Sequence, residues 1–409
     1  MFYFTTAVFV LTYVGMASGW VPGLKLDRTG IALLAAIALF ALGPLPRSDF
    51  LGAVNFPTLA ILFGLMILAG QFGFAGFYDW CAARIAAAAG RPAQFLALTV
   101  LISGLLSALL ANDIVVFAIT PMLCEGLRRR RLDPRPFLAA LAGAANAGSA
   151  ATVIGNPQNI LIGQFGRLGF WHFLAVCGPP AVAALLLTYG IVAIAWRATL
   201  RQPAADAVLP AITLDRWQMG KSLIATLALI ALFSTPAPRD VAALAIAAAL
   251  LISRRIPTRQ ALAAVDWNLI LLFAALFVVN AAFSRTGLPA LAVAAADRHG
   301  LLPDHLSVLA PLSAVLSNTI GNVPAVILLL SHWPHPPQGA LYGLALLSTL
   351  AGNLFLVGSI ANLIVAERAA QNGVSFGFAD HARAGVPMAL ASLALAAIWL
   401  GYGGWLPWR

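Results

Sequence analysis

Apolar stretches of about 20 residues recur from one end of the chain to the other, and each is long enough to cross a bilayer. In lipid every backbone N–H and C=O must find an internal partner, so runs of this length form helices. Composition agrees. Of 409 residues, 61% are hydrophobic and 9% charged, against about 25% charged in soluble domains. Mean hydropathy is +0.91. A water-soluble enzyme is excluded, and an all-α polytopic membrane protein is expected. The net charge of +10 reflects orientation, because the Lys and Arg fall in short loops between apolar runs. No nucleic-acid partner is expected. Cys81, Cys124 and Cys177 are widely spaced and form neither a disulfide framework nor a zinc pattern. No Lys or Arg precedes Lys25, so the first run lacks the basic start of a cleaved signal peptide and reads as a retained helix.

Three helices are expected first, over Phe2 to Trp20, Thr29 to Leu45 and Phe56 to Phe74. Residues 77–89, with Asp79 and Arg84, read as an interfacial helix. The 34-residue apolar stretch from Gln94 to Leu127 is too long for one crossing and too short for two with a turn. Arg84 and Arg91 precede it and Arg128 to Arg131 follow it, so both ends favour the cytoplasm. A re-entrant hairpin satisfies this, with its polar tip at Ala111-Asn112-Asp113. Pro136 to Phe165 contains Gly155-Asn156-Pro157-Gln158-Asn159. Pro157 removes a backbone donor and clashes with the preceding turn, which predicts a broken helix. A crossing over Phe173 to Trp196 follows, and then a polar linker.

Beyond the linker the order repeats. Crossings are expected at 217–234, 239–253 and 267–284, a hairpin at 305–331, a broken segment at 341–369 and a last helix at 385–401. Pro46…Leu51…Val54 matches Pro257…Leu262…Val265 at an offset of 211, Leu106-Ser107…Asn112 matches Leu316-Ser317…Asn322 at 210, and Gly155…Asn159 matches Gly358…Asn362 at 203. A rival register at 206 pairs Asn112 with Asn318; 210 agrees with the preceding helix. The expected organisation is a first repeat over 1–197, a cytoplasmic linker over 198–215 and a second repeat over 216–409. Each repeat has five crossings and one hairpin, an odd number of crossings that inverts the second half. With both termini outside, 18 of the 24 Lys and Arg are cytoplasmic, as orientation by positive charge requires.

Inverted repeats with paired helix breaks point to a secondary transporter's midplane site. A break frees N–H groups for an anion and carbonyls for a small cation. At the first tip Asn112 lies 18 residues from Gln94, roughly 27 Å at about 1.5 Å per residue. Asp113 is the one acidic residue expected at that depth. An intramembrane carboxylate is costly and points to function, either binding Na⁺ or carrying a proton; it also suits a helix cap. Asn156, Gln158 and Asn159 at the first break are candidate ligands, with satisfaction of the broken backbone as their plainer use. The second half supplies Ser317, Asn318, Thr319 and Asn322 at its tip, and Gly358, Ser359 and Asn362 at its break, without a carboxylate. Gln71 and Asn280 read as interhelical hydrogen bonders. The six histidines, His381 among them, fall in loops or at helix ends. No Lys or Arg falls at the midplane, so an anion would meet amides, helix dipoles or a co-bound cation. No Walker or hydrolase motif occurs, and neither an enzyme activity nor a cofactor or metal centre is expected.

At SALLANDIVVFAITP, ATVIGNPQNILIG, SNTIGNVPAVILLL and AGNLFLVGSIANLIVAE the chain resembles the ion transporter superfamily. It is most similar to the branch holding arsenite pumps, sodium–proton antiporters and citrate–metal symporters, and within it to a bacterial inner-membrane group. Divalent-anion sodium symporters are more distantly similar. The resemblance implies an inverted-repeat fold, elevator-type movement, and a scaffold commonly used for homodimerisation. It implies one cation site at Ser107, Asn112 and Gly155, and another at the Ser317–Asn322 tip and Gly358. It implies substrate between them, near Asn112, Asn156, Asn159, Asn322 and Asn362. The first tip reads Ala-Asn-Asp where the divalent-anion pattern has Ser-Asn-Thr, and Asp113 suggests cation or proton coupling. The expected function is secondary transport of a small anion or oxyanion, arsenite-like or carboxylate, across the inner membrane with Na⁺ or H⁺. A sodium–proton antiporter without an anionic substrate is the alternative.

Overall fold

A computed structural model describes residues 1–18, 23–43, 46–87, 92–203, 205 and 213–409. Arg91, the end of the second expected helix and much of the linker, including residues 206–212, lie outside the described residues. The described part before the linker holds α1 (Phe2–Ser18), α2 (Arg28–Leu42), α3 (Arg47–Gly52), α4 (Phe56–Phe74), α5 (Phe77–Ala87), α6 (Pro92–Leu109), α7 (Asn112–Arg129), α8 (Arg135–Ser149), α9 (Pro157–Phe165) and α10 (Phe170–Ala195). After it come α11 (Arg216–Phe233), α12 (Arg239–Leu251), α13 (Thr258–Ala263), α14 (Trp267–Ser284), α15 (Leu288–Arg298), α16 (Leu306–Thr319), α17 (Asn322–His332), α18 (Gln338–Ala351), α19 (Ile360–Gln371) and α20 (Phe378–Tyr402).

Local chemistry explains many of these boundaries. The side chains of Asp27, Asn55, Asp215 and Asp266 accept hydrogen bonds from the first free N–H groups of α2, α4, α11 and α14, the usual N-cap arrangement. Asn55 and Asp266 are matching positions of the two halves. The Pro46 and Pro257 stretches, matched in sequence, form the short helices α3 and α13, each entered from its proline. These two helices and α15 were not foreseen, because none carries an apolar run of crossing length. The last helix is also longer than expected, starting at Phe378. The helices α6 to α9 and α16 to α19 fall within a few residues of the stretches expected as hairpin arms and broken segments. Asn112 and Asn322 each open a helix, which supports the 210 offset.

Packing sorts the helices into two bodies, each drawing on both halves. In one, α2 packs on α14 and α4 on α12, with α1 against α14 and α11 against α4. In the other, α6 packs on α8, α16 on α18, α7 on α19, α9 on α17 and α10 on α20. Exchanging each helix of the first half for its counterpart leaves these pairings unchanged, as a two-fold relation would. α8 and α18 lie at the centre of the second body. All residues from Pro136 to Ser149 and from Ala340 to Ala351 are buried, so each helix is enclosed on every side. Small residues make this possible: a methyl on Gly148 would lie 2.1 Å from the Gly104 carbonyl oxygen of α6.

Among the described residues five helices, α4, α6, α10, α14 and α20, are long and apolar enough to cross a membrane. Large apolar side chains stand outward, with Leu186 and Ile194 of α10 70% and 73% exposed. In water such a surface would be an association patch; in a multi-pass membrane protein it faces lipid.

Candidate functional site

Two interrupted helices meet in the second body. In the first, α8 ends at Ser149 and α9 begins at Pro157, where the missing N–H costs no intrahelical bond. Asn156 caps α9, its side chain accepting from the Asn159 N–H at 2.8 Å. Asn159 Nδ2 then donates back to the carbonyls of Ser149 and Thr152 at 3.1 and 3.0 Å. In the second, α18 ends at Ala351 and α19 begins at Ile360. Asn362 Nδ2 donates to the carbonyls of Gly352 and Phe355 at 2.8 and 3.3 Å. These four carbonyls match pairwise at the 203 offset, so each half closes its break with the same amide. The plainer reading of Asn159 and Asn362, satisfaction of the broken backbone, describes their Nδ2 groups.

Bonds between the halves join the breaks. Asn156 Nδ2 donates to Thr349 Oγ1 of α18 at 3.2 Å, and Gln158 Nε2 donates to the same oxygen at 3.1 Å. At the matching positions Ser359 Oγ donates to Asn146 Oδ1 of α8 at 3.0 Å. Asn146 Nδ2 in turn reaches Asn353 Oδ1 at 2.8 Å and Asn362 Oδ1 at 3.0 Å. The first tip enters the same network: Asn112 N–H donates to the Gly155 carbonyl at 3.1 Å, and its Nδ2 to Asn146 Oδ1 at 3.3 Å. A side chain on Gly155 would lie 2.3 Å from the Ser149 carbonyl oxygen, and one on Gly358 2.3 Å from Asn318 Oδ1. Both positions therefore require glycine.

The tips differ in what they leave free. At the first, Ser107 Oγ and Asn112 Oδ1 are buried without a partner, as is Asn159 Oδ1 at the break. At the second, Ser317 Oγ donates to the Ser348 carbonyl at 3.3 Å. Asn318 Nδ2 donates to the carbonyls of Ala314 and Ala351, both at 2.9 Å, while its Oδ1 accepts from Phe355 N–H at 3.1 Å. Asn322 is buried at the start of α17, its Oδ1 accepting from Val323 N–H at 2.9 Å. Thr319 stands apart, exposed and bonded to carbonyls of its own helix. Asp113 is half-buried in the first turn of α7, and no described residue bonds its carboxylate. Asp266 of α14 is close enough for its charge to act on it.

Several members of the site were not anticipated. Asn146, Ser149, Thr349 and Asn353 sit in small-residue helices that read as plain apolar spans; only their enclosure in α8 and α18 makes their polarity informative. His381 is buried in the first turn of α20, its Nε2 2.9 Å from the Asn353 carbonyl oxygen. One basic side chain, Arg28, approaches the second tip. A methyl built on Gly321 at the second tip would lie 3.2 Å from Arg28 Nη1. Arg239, the matching first residue of α12, instead donates to the carbonyls of Gly163 and Leu168 at the end of α9. Asn280 makes the expected interhelical bond, to Tyr13 Oη at 2.9 Å, whereas both amide atoms of Gln71 are unpartnered.

Chemically this is a buried, mostly uncharged network of amides and hydroxyls. The free oxygens of Ser107 and Asn112 lie at the first tip, as a small hard cation prefers; at the second, Ser348 Oγ is free beside Ser317 and a guanidinium stands near. Among the described residues no group of three or more His, Cys, Asp or Glu could hold a metal ion.

Comparison with known proteins agrees with the architecture. The chain is 27% identical to the silicon efflux transporter LSI3 of Oryza sativa subsp. japonica, over 92% of each chain. It is 28% identical to the uncharacterized transporter Rv2684 of Mycobacterium tuberculosis, over 97% of each. In fold it resembles the crystal structure of the YdaH transporter of Alcanivorax borkumensis, with a TM-score of 0.59 and 16% identity, covering 98% of this chain and 97% of that one. The profile of the citrate transporter family, CitMHS, matches residues 10–332, and the chain belongs to that family of membrane transporters.

Proposed function

We propose that the chain is a secondary active transporter that moves a small anion or oxyanion across a bacterial inner membrane, coupled to Na⁺ or H⁺, and that it is not an enzyme. The observation that carries this reading is the buried network in which the two helix breaks bond across the halves and the first hairpin tip joins them through Asn146. A pocket assembled this way from discontinuous helices is the general design of a secondary transporter's binding site. Free N–H groups at α9 and α19 and the Arg28 guanidinium suit an anion. Ser107, Asn112 and Gly155 with the Asp113 carboxylate form the coupling-ion site, and Ser317 with Gly358 marks its counterpart. Asn112, Asn156, Gln158, Asn159, Asn318, Asn322, Ser359 and Asn362 surround the substrate; Thr319 is left out.

The movement is of elevator type, with inverted repeats, both hairpins entering and leaving on one face, and both termini periplasmic. The unequal surroundings of Arg28 and Arg239 support it. In a symmetric arrangement both arginines would meet a hairpin tip; here one meets a tip and the other the end of α9. Displacement of one body along the other produces this difference. The body containing α2, α4, α12 and α14 is the fixed scaffold and the surface for a homodimer.

The alternative, sodium–proton exchange without an anion, is favoured by one observation: Asp113 is unbonded at the first tip. Thermal stability of the purified chain separates the two, because a ligand of the folded state raises its melting point. Na⁺, Li⁺, protons, arsenite, silicic acid and citrate form the panel, the last three taken from the relatives' and family's names and the resemblance. The anion reading expects at least one oxyanion or carboxylate to raise the melting point and to exchange across proteoliposomes. The alternative expects no anion to do so while Asp113→Asn abolishes cation exchange.

A further inference from the structure

The second half lacks a carboxylate at its tip, yet a titratable ring sits on its helix break. His381 is fully buried. Its Nε2 lies 2.9 Å from the Asn353 carbonyl oxygen, so that nitrogen carries the hydrogen and donates. It also lies 3.5 Å from Nδ2 of Asn362, the amide that closes the break. The other ring nitrogen, Nδ1, is buried with no partner. The fold makes room for this arrangement. A methyl on Gly385, one turn along α20, would lie 2.5 Å from the Asn353 carbonyl oxygen and 2.8 Å from His381 Nε2.

We infer that His381 is a proton-binding residue of the transport cycle, taking up a proton at Nδ1 and presenting an imidazolium cation beside Asn353 and Asn362 when the site is loaded. The inference rests on the transporter reading and goes beyond it by assigning H⁺ to a residue. The balance is simple: neutral imidazole plus one proton from solvent gives imidazolium, and release on the other side restores the ring. Nε2 keeps its bond to Asn353 in both states, so the change in charge reaches the break without loss of that contact. An imidazolium N–H at Nδ1 needs an acceptor, which an anionic ligand or a water in the loaded site supplies. A neutral amide would serve the Asn353 contact equally well; the free nitrogen is what the imidazole adds.

The charged and titratable groups around this end of α20 leave the ring to act alone. On α20 itself, Asp380 meets Arg135 of α8 at 3.5 Å, and Arg135 also binds Asp133 at 2.8 Å. Arg383 donates to the Ala195 carbonyl at the end of α10 and lies over the Trp196 ring. α16 and the segment over 356–358 carry no charged residue; α10 carries His172, Cys177 and Tyr189 and α18 carries Tyr342, of which His172 and Tyr342 pack beside Trp405 past the far end of α20, Cys177 meets the Tyr342 carbonyl, and neither Cys177 nor Tyr189 bonds to His381. Phe376 presents its ring at 6.2 Å, T-shaped to the imidazole. Among the described residues none of the charged groups bonds to His381.

The test compares the full chain with His381→Gln in proteoliposomes loaded with a pH-sensitive dye, using arsenite, silicic acid and citrate as probes from pH 5.5 to 8. Glutamine keeps a donor where Nε2 stands and removes the titration. The expected result is substrate-linked proton movement and a pH-dependent rate in the wild type. In His381→Gln the far-ultraviolet circular dichroism and ligand-free melting point stay close to the wild type, proton movement is lost at least tenfold, and the remaining rate is independent of pH. Proton movement undiminished in His381→Gln, or substrate transport by the wild type without any proton movement, overturns the inference and leaves the transporter reading in place. No transport of any probe by the wild type overturns both.

Discussion

Replacing Asn159 with leucine tests how the first helix break is held. Leucine branches at the same atom and is the larger side chain, so no cavity is created, but it removes the donor that serves the carbonyls of Ser149 and Thr152. The Asn159 backbone N–H keeps its bond to Asn156 Oδ1. Both carbonyls lie on buried residues and cannot turn to water. The Thr152 carbonyl keeps the Gly155 N–H at 3.4 Å, so the Ser149 carbonyl is the one left unpaired, at about 1–3 kcal/mol for a buried polar group. Interhelical hydrogen bonds in membrane proteins average nearer ~0.6 kcal/mol because the unfolded chain finds other partners. That discount is small here, since Gly155 and Pro157 pin the segment between them and leave few alternatives. The expected loss is therefore about 1–3 kcal/mol. Unfolding in mixed micelles of rising SDS fraction, followed by far-ultraviolet circular dichroism, measures it against Thr319→Ala. That exposed hydroxyl bonds only its own helix, so its removal should cost less than about 0.5 kcal/mol. If Asn159→Leu were as stable as Thr319→Ala, the amide would not be what holds the break, and the parallel argument for Asn362 would fall with it.

Three further outcomes follow from the same geometry. Gly148→Ala drives a methyl into the Gly104 backbone and should cost at least about 1–3 kcal/mol by overpacking, visible as a lower melting point, whereas Gly190→Ala, with open space around it, should not. Ser107→Ala should remove any melting-point rise on adding Na⁺ or Li⁺, because it deletes a free buried oxygen, while Ser317→Ala, whose hydroxyl already has a partner, should weaken that rise less than half as much; equal effects would contradict the inequality of the tips. Oxidative cross-linking should trap the pair R28C/I320C in one population, and the matching pair R239C/L110C in another whose share grows under the opposite substrate gradient; a second pair that never cross-links would count against displacement of the two bodies.

Most of the architecture could be read from the chain because each layer of it had a local cause. Pro157 with Asn156 announces a helix start inside an apolar span, and Arg128 to Arg131 mark where the first hairpin must end. What could not be read was polarity whose meaning depends on enclosure. Asn146 is one amide in an Ala- and Gly-rich run, and nothing near it in sequence says that α8 is buried all round. Asn353 follows a glycine at a helix end, where an asparagine usually serves the turn. Arg28 sits among loop residues in sequence, and only the packing of α2 on α14 carries it to the second tip. Thr319 illustrates the opposite error. It adjoins Asn318 on a helix, and neighbours in sequence there point about 100° apart, so one faces the break and the other faces away.

The two halves agree where the backbone must be held and differ where a ligand would sit. Asn159 and Asn362 make the same pair of bonds, and Asn156 and Ser359 cross to the opposite half from matching positions. Losing one of these contacts strands carbonyls or hydroxyls in a place without water, which restricts what can replace them. The tips carry no such restriction: Asn318 closes the second by bonding Ala314, Ala351 and Phe355, while Ser107 and Asn112 leave the first with free oxygens. A single ligand lying on a two-fold axis rarely has two-fold symmetry itself. A pocket that binds one orientation of it must therefore break the relation in its side chains, and it can do so only at positions the backbone does not depend on. On the proposed reading, the free oxygens at the first tip and the guanidinium at the second would give such a pocket a cation end and an anion end.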